Sequence, residues 1–215
     1  MKFVKLILLL FLIFNSICYG QVDTLKEYYS NGKLKKLTPR VKGKKNGFEI
    51  NYRSDGTLES EIPFINDTIS GLRKGYNIVG ELYFISQYSV GKLNGITKHF
   101  YRNGKLQIET PWTNNKENGI QKWYYESGAV EFEKPYIDGI RHGIMKAYYE
   151  SGVIKEEWPY VNDKSDGIVR RYYENGKLKS EMPLLDGSRN GIMKEYSEEG
   201  KLIKETEFEN DKEKK

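Results

Sequence analysis

From Tyr28 onward an aromatic residue returns every 24 positions: Tyr28, Tyr52, Tyr76, Phe100, Tyr124, Tyr148, Tyr172 and Tyr196. Four residues after each comes a glycine, from Gly32 to Gly200, and two further on an aliphatic side chain, from Leu34 to Leu202. With the aromatic counted as position 1, position 20 is glycine in all seven complete units. Position 21 is apolar in each of them: Phe48, Leu72, Ile96, Ile120, Ile144, Ile168 and Ile192. All six prolines fall at position 12. Eight units in one unbroken phase are an internal repeat, and a repeat governs the fold of everything it spans. Position 16 adds a weaker rhythm, in which Gly43, Gly91, Gly139 and Gly187 alternate with Asp67, Asn115 and Asp163. The unit is therefore 24 residues or a pair totalling 48.

Within a unit the local signals are those of strands and tight turns. Asn31-Gly32, Asn103-Gly104 and Asn175-Gly176 supply the positive φ that hairpin turns need, and Ser-Gly or Asp-Gly replaces them elsewhere. Each repeat reads as one β-hairpin, ended by a proline that has no N–H to donate. Position 20 glycine then opens the next hairpin after a polar loop. Two registers compete. A three-residue turn pairs position 1 with 7 and 21 with 11, gathering aromatic 1, aliphatic 7 and apolar 21 on one face. A two-residue turn sets aromatic 1 opposite polar position 8, but places the cation of position 23 across from the Glu of position 10, as in Lys146 with Glu157 or Arg170 with Glu181. The first is preferred, because one face should be consistently apolar.

The expected fold is all-β: a single-layer antiparallel β-hairpin solenoid of about eight 24-residue repeats, stabilised by neighbour contacts. With strands about 4.8 Å apart, eight hairpins make a ribbon roughly 75 Å long. The third unit is the weakest, with Gln87 in place of proline and Ile85 in place of Glu. The predicted organisation is a signal peptide at 1–20, a lead-in at 21–27, the repeats at 28–207 and a charged, solvated tail at 208–215. A single-layer sheet must also cover its apolar face, by curling or by partnering.

Composition agrees with a thin structure. Hydrophobic residues are 38% and charged residues 30% of the 215, which favours a wet, shallow sheet over a thick core, while 13% aromatics exclude a disordered chain. The amino terminus departs from this average. Lys2 and Lys5 precede the unbroken apolar run Leu6 to Phe14, and Asn15 to Gly20 form a small, polar exit. This is the layout of a secretory signal, too short to cross a bilayer as a helix. Cleavage after Gly20 leaves Gln21 first. A lipoprotein signal with Cys18 lipidated is less favoured, since Ile17 stands where a small residue is wanted. Losing Lys2 and Lys5 lowers the net charge from +5 to +3, with both signs interleaved, so no nucleic-acid partner is expected. The chain reads as exported: periplasmic, secreted or associated with the cell envelope.

No phosphate-binding loop, zinc-binding helix or nucleophile elbow occurs, and neither a metal nor another cofactor is expected. His142 reads as a turn residue and His99 as a surface one. The Glu column at position 10 reads as a ladder partner. The tyrosine pairs are the strongest candidate for recognition. Their second members Tyr101, Tyr125, Tyr149 and Tyr173, beside Lys122, Lys146 and Arg170, would form an aromatic and basic strip suited to a peptide, a glycan or another protein.

The segments Arg171-Tyr-Tyr-Glu-Asn-Gly-Lys-Leu-Lys-Ser-Glu181 and Lys122-Trp-Tyr-Tyr-Glu-Ser-Gly-Ala-Val-Glu-Phe-Glu133 resemble the MORN repeat in its bacterial variant form, and the likeness runs from residue 28 to about 207. Chains of this kind are similar to the YwqK-type antitoxins of toxin-antitoxin systems. The resemblance implies a hairpin scaffold for protein or lipid contacts. If the antitoxin likeness applies to an exported chain, the toxin would lie in the envelope or outside. The leading expectation is a non-enzymatic scaffold that binds a protein along one sheet face. The alternatives are a glycan or cell-wall binding module, a membrane surface as partner, and self-association through the apolar face.

Overall fold

The computed structural model describes residues 22–214, and every regular element among them is a β-strand. One unit shows the course of all. Strand Gly143–Tyr148 turns through 149–153 into strand Ile154–Val161. The chain reverses again at Asn162 and Asp163, and the short strand Lys164–Ser165 pairs back on its predecessor. Strand Gly167–Tyr172 then begins the next unit and pairs with Ile154–Val161 through Glu156↔Arg171 and Glu157↔Arg170. Repetition of this course joins the long strands into one open antiparallel meander, in which the substantial contacts link only strands adjacent in that order. The expected single-layer hairpin solenoid is the observed architecture.

The array is longer at both ends than the sequence reading had it. Residues 22–28 are a strand, Val22–Tyr28, paired along its length with Leu34–Val41. Asp23 and Thr24 stand where later units have glycine and an apolar residue, so this strand lacks the sequence marks of the others. At the other end, Leu202–Glu209 and Lys212–Glu213 are strands joined by the same tight turn as in earlier units. The region assigned to a charged tail continues the eighth unit. The proposed signal peptide, with Cys18, lies outside the described residues.

Both competing registers prove half right, because every hairpin carries a β-bulge. Tyr148 faces Ile154, so position 1 pairs with 7, yet the register shifts between Ala147 and Tyr148 so that Lys146 faces Glu157 and Ile144 faces Pro159. Position 8 is the extra residue. The bulge lets the glycine turn and the charge ladder coexist in one hairpin. The link between hairpins is not a polar loop but a second tight turn. Asn162 (φ 51°) and Asp163 (φ 67°) are both left-handed, as a two-residue turn of type I′ requires.

This second turn explains the 48-residue rhythm. In every unit whose position 16 begins a link to a preceding unit, its N–H donates to the position 18 carbonyl there, as Gly187 does to Ser165 and Asp163 to Arg141. Where position 16 is Asp or Asn, its Oδ1 also accepts the position 18 N–H: Lys45 to Asp67 (2.7 Å), Leu93 to Asn115 (2.7 Å), Arg141 to Asp163 (3.0 Å) and Arg189 to Asp211 (2.9 Å). Glycine cannot make the second bond, so repeats are clipped in pairs along this edge. In three of those pairs the position 18 cation also covers an aromatic ring: Lys45 over Phe64, Arg141 over Tyr160 and Arg189 over Phe208.

The third unit continues the sheet despite its departures. Phe84 fills the place of a side chain at residue 75, where a Cβ would lie 2.0 Å from its ring. Gly75, the one glycine of the array outside the repeat positions, is therefore required by packing. Ile85 sits between Lys74 and Lys98 and interrupts the ladder of charges.

Candidate functional site

In a strand, alternate residues face opposite sides, so the register divides each unit between two faces. Positions 22, 24, 9, 11 and 13 share one. Nearly all the buried side chains among the described residues lie there, including Val169 at 1% exposure, Ala147, Thr38, Thr110 and Ser180, Pro63 of position 12 being the exception. With no second layer, burial comes from larger neighbours on the same face. Ala147 lies between Phe132 and Glu156, and Val169 lies opposite Met182.

This face also holds the singular polar groups. Glu49 is buried and accepts from Lys45 Nζ at 2.7 Å and Thr38 Oγ1 at 3.1 Å. Burial pushes its carboxyl up, but the lysine and the hydroxyl outweigh that and hold it below the ordinary range. It is the charged half of a structural pair. His99 is half-buried against Phe84, not a surface residue, and burial lowers its pKa. His142 is exposed, as a turn residue should be.

Positions 1, 7, 10, 12, 14, 21 and 23 share the opposite face. The three apolar columns expected to lie together do so, but they are not the buried side. Position 21 is 40–53% exposed in all seven units. Next to it run the prolines of position 12, paired as Ile144↔Pro159 and Ile168↔Pro183. Beyond them Ile65, Ile137, Val161 and Leu185 of position 14 are also exposed. The result is an apolar stripe along the length of the sheet.

Beside the stripe runs an ionic ladder. Glu109, Glu133, Glu157 and Glu181 of position 10 each lie between position 23 cations of the strands before and after them. The closest pairs are Lys98–Glu109 at 3.0 Å, Lys74–Glu61 at 3.1 Å, Arg170–Glu181 at 3.2 Å and Lys122–Glu133 at 3.3 Å. The first tyrosine of the next unit donates to the same carboxylate: Tyr124 to Glu109 (2.9 Å), Tyr148 to Glu133 (2.9 Å) and Tyr172 to Glu157 (2.8 Å).

Partial burial, then the bond to Glu and its charge, push these three hydroxyls up to about 12. An unfolded tyrosine ionises near ~10. Stability drawn from the neutral hydroxyls is therefore complete below about pH 10 and is lost as the pH rises toward 12. A near-ultraviolet titration should show a late-ionising set of tyrosines, from which Glu133→Gln removes Tyr148. A single transition near ~10 would contradict the ladder.

The residues singled out from the sequence do not assemble into one strip. Three steps separate position 23 from position 2, an odd number, so the two face opposite sides. Lys122, Lys146 and Arg170 belong to the ladder. Tyr101, Tyr125, Tyr149 and Tyr173 lie toward the buried face, where Tyr173 lines a shallow cleft with Ser180 and Met193. Each donates its hydroxyl to the backbone carbonyl of the following unit's first tyrosine: Tyr101 to Tyr124 (2.6 Å), Tyr125 to Tyr148 (2.8 Å), Tyr149 to Tyr172 (2.9 Å) and Tyr173 to Tyr196 (2.8 Å). Lys155 and Lys179 lie over the rings of Tyr149 and Tyr173. These tyrosines staple consecutive repeats. The apolar stripe is the face that the columns at positions 1, 7 and 21 mark in the sequence, and position 21 is its most regular part.

No curated protein matches the chain. A family model described as the MORN repeat variant matches residues 24–41, 93–114, 117–138, 141–162, 165–186 and 189–210. The last five matches begin at position 18, so each spans one complete hairpin of the meander. The unmatched stretch, 42–92, contains Gly75, Ile85 and Gln87, where the third unit departs from its neighbours. The matched hairpins make up more than half of the sequence, and the chain belongs to the MORN repeat variant family.

Proposed function

We propose that this chain is an exported, non-enzymatic scaffold that binds a protein partner along the exposed apolar stripe. MORN repeats are generally protein- or membrane-binding motifs. The observation that carries the choice is the stripe: seven consecutive position 21 side chains at 40–53% exposure, with prolines and aliphatics alongside. A contiguous exposed apolar surface of this kind marks a contact site. The adjoining ladder is neutralised internally, so it offers no basic field to anionic headgroups and sets register more than affinity. The glycan reading is weaker because the tyrosines it would use are engaged with backbone carbonyls and covering lysines. An antitoxin-like or immunity role would use the same stripe. Export rests on Lys2, Lys5 and the apolar run Leu6 to Phe14.

A photocrosslinker at Ile144 in exporting cells should give a discrete protein adduct. The same probe at Met145, on the opposite face, should not. The double variant Ile120→Asp/Ile168→Asp should abolish the Ile144 adduct while leaving the fold intact by circular dichroism. Equal labelling from both faces would overturn the reading. Cosedimentation with peptidoglycan or polysaccharide that survives the double substitution would favour the glycan module.

A further inference from the structure

Among the described residues the two outermost long strands each have an unpaired edge. Val22–Tyr28 pairs only with Leu34–Val41. Leu202–Glu209 pairs with Gly191–Tyr196 on one edge; on the other, the return strand and Lys214 take Glu207, Phe208 and Glu209, which leaves Lys204 and Glu205 open to solvent. Open edges present a row of backbone donors and acceptors ready to take another strand. Here the two edges are complementary halves of the joint that recurs inside the array. Counted in the repeat, Lys26, Glu27 and Tyr28 hold positions 23, 24 and 1, while Lys204 and Glu205 hold positions 9 and 10. Every interior joint pairs 9 with 24 and 10 with 23, as in Glu156↔Arg171 and Glu157↔Arg170.

We propose that a second copy of this chain docks its first strand on the last strand of the copy before it, extending the ribbon end to end in the interior register. That register sets Glu205 against Lys26 and Lys204 against Glu27. Both partners of the first pair lack an interior counterpart. Lys26 faces Leu37 within its own hairpin. Glu205 is 3.9 Å from Lys194 and its side chain is 50% exposed, against 23–26% for Glu61, Glu109, Glu133 and Glu181, which have neighbouring strands on both sides. The second pair also keeps signs alternating across the joint. Lys204 faces Glu195, and Glu27 lies 3.7 Å from Lys36, so the column reads Glu195, Lys204, Glu27, Lys36. Tyr28, exposed in one copy, comes into position to donate to Glu205 as Tyr172 does to Glu157. The contact is heterologous, so it repeats without closing on itself and yields a linear assembly. Lys214 of the preceding copy already donates its N–H to the Glu207 carbonyl, in the place that Val22 would take, so the joint is confined to Lys26, Glu27 and Tyr28 and the start of the first strand leaves the register.

Sedimentation velocity of the purified protein, up to about 300 μM because narrow interfaces associate weakly, reads the outcome. The wild-type chain should sediment faster as concentration rises, passing beyond dimer, and 0.5 M salt should reverse this. Lys26→Glu and Glu205→Lys should each stay monomeric. An equimolar mixture of the two should assemble again, since each copy then meets an opposite charge. The stripe variant Ile120→Asp/Ile168→Asp should assemble as wild type does, which separates this joint from the proposed partner face. A wild-type chain that is monomeric throughout, association that stops at dimer and is lost in the stripe variant, or a mixture that fails to reassemble would each overturn the proposal.

Discussion

Gly75→Ala is expected to lower stability by about 2–3 kcal/mol, in the upper range for overpacking a filled site. The new Cβ would lie 2.0 Å from Phe84 Cε1 and 2.5 Å from Cδ1. The ring has little freedom to retreat. Tyr83 meets it edge-on at 4.8 Å, the Arg73 guanidinium covers it at 5.1 Å, and His99 stands 6.1 Å away. At an unconstrained position the same substitution would stabilise by a few tenths to ~1 kcal/mol through the unfolded chain, so a net loss isolates the clash. Phe84→Leu should restore most of it in the double variant. Urea unfolding measures the loss. Hydrogen exchange should localise it to the third unit, because a one-dimensional array transmits strain mainly to its neighbours. Undiminished stability in Gly75→Ala would show that the ring does not occupy that space.

The triple variant Tyr125→Phe/Tyr149→Phe/Tyr173→Phe should lose roughly 3 kcal/mol and keep its partner. Each hydroxyl donates to a carbonyl of the next unit, a bond worth about 1 kcal/mol. The three sites share no partner, so their effects should nearly add. The rings remain, which preserves packing beneath Lys155 and Lys179. Chemical denaturation reads the stability and the Ile144 crosslink reads the partner. Loss of the crosslink at unchanged stability would return these tyrosines to a role in recognition.

These two cases mark the limits of legibility. The tyrosine pairs were conspicuous because they recur, yet recurrence does not separate a contact to a partner from a contact to the next copy of the same unit. In a repeat protein every inter-repeat bond is periodic by construction, so a staple and a binding surface leave the same trace. Gly75 was visible only as an exception to the pattern. Its cause, the Phe84 ring, is nine residues away on the neighbouring strand and belongs to no motif. The position 16 rhythm lay between these extremes. The alternation of Gly with Asp or Asn was readable, but its meaning depends on an Oδ1 reaching the N–H of a residue 22 positions earlier.

The bulge shows why register resisted a sequence argument. Glycine turns and the Lys–Glu ladder each implied a different pairing, and a strict two-residue alternation cannot satisfy both. One extra residue at position 8 reconciles them at the expense of one ladder position.

The 24-residue period by itself determined the class of fold, the number of hairpins and the placement of prolines and most glycines, because those features follow from turns and strand ends, which are local. Which face is buried was decided only by the tertiary structure. In a single layer no second sheet marks the inside, and a small Thr, Ser, Ala or Val is covered by larger side chains on adjacent strands. The identities at positions 9, 11, 22 and 24 vary from unit to unit, so they form no conspicuous column, while the uniformly apolar side chains of position 21 stand exposed on the other side.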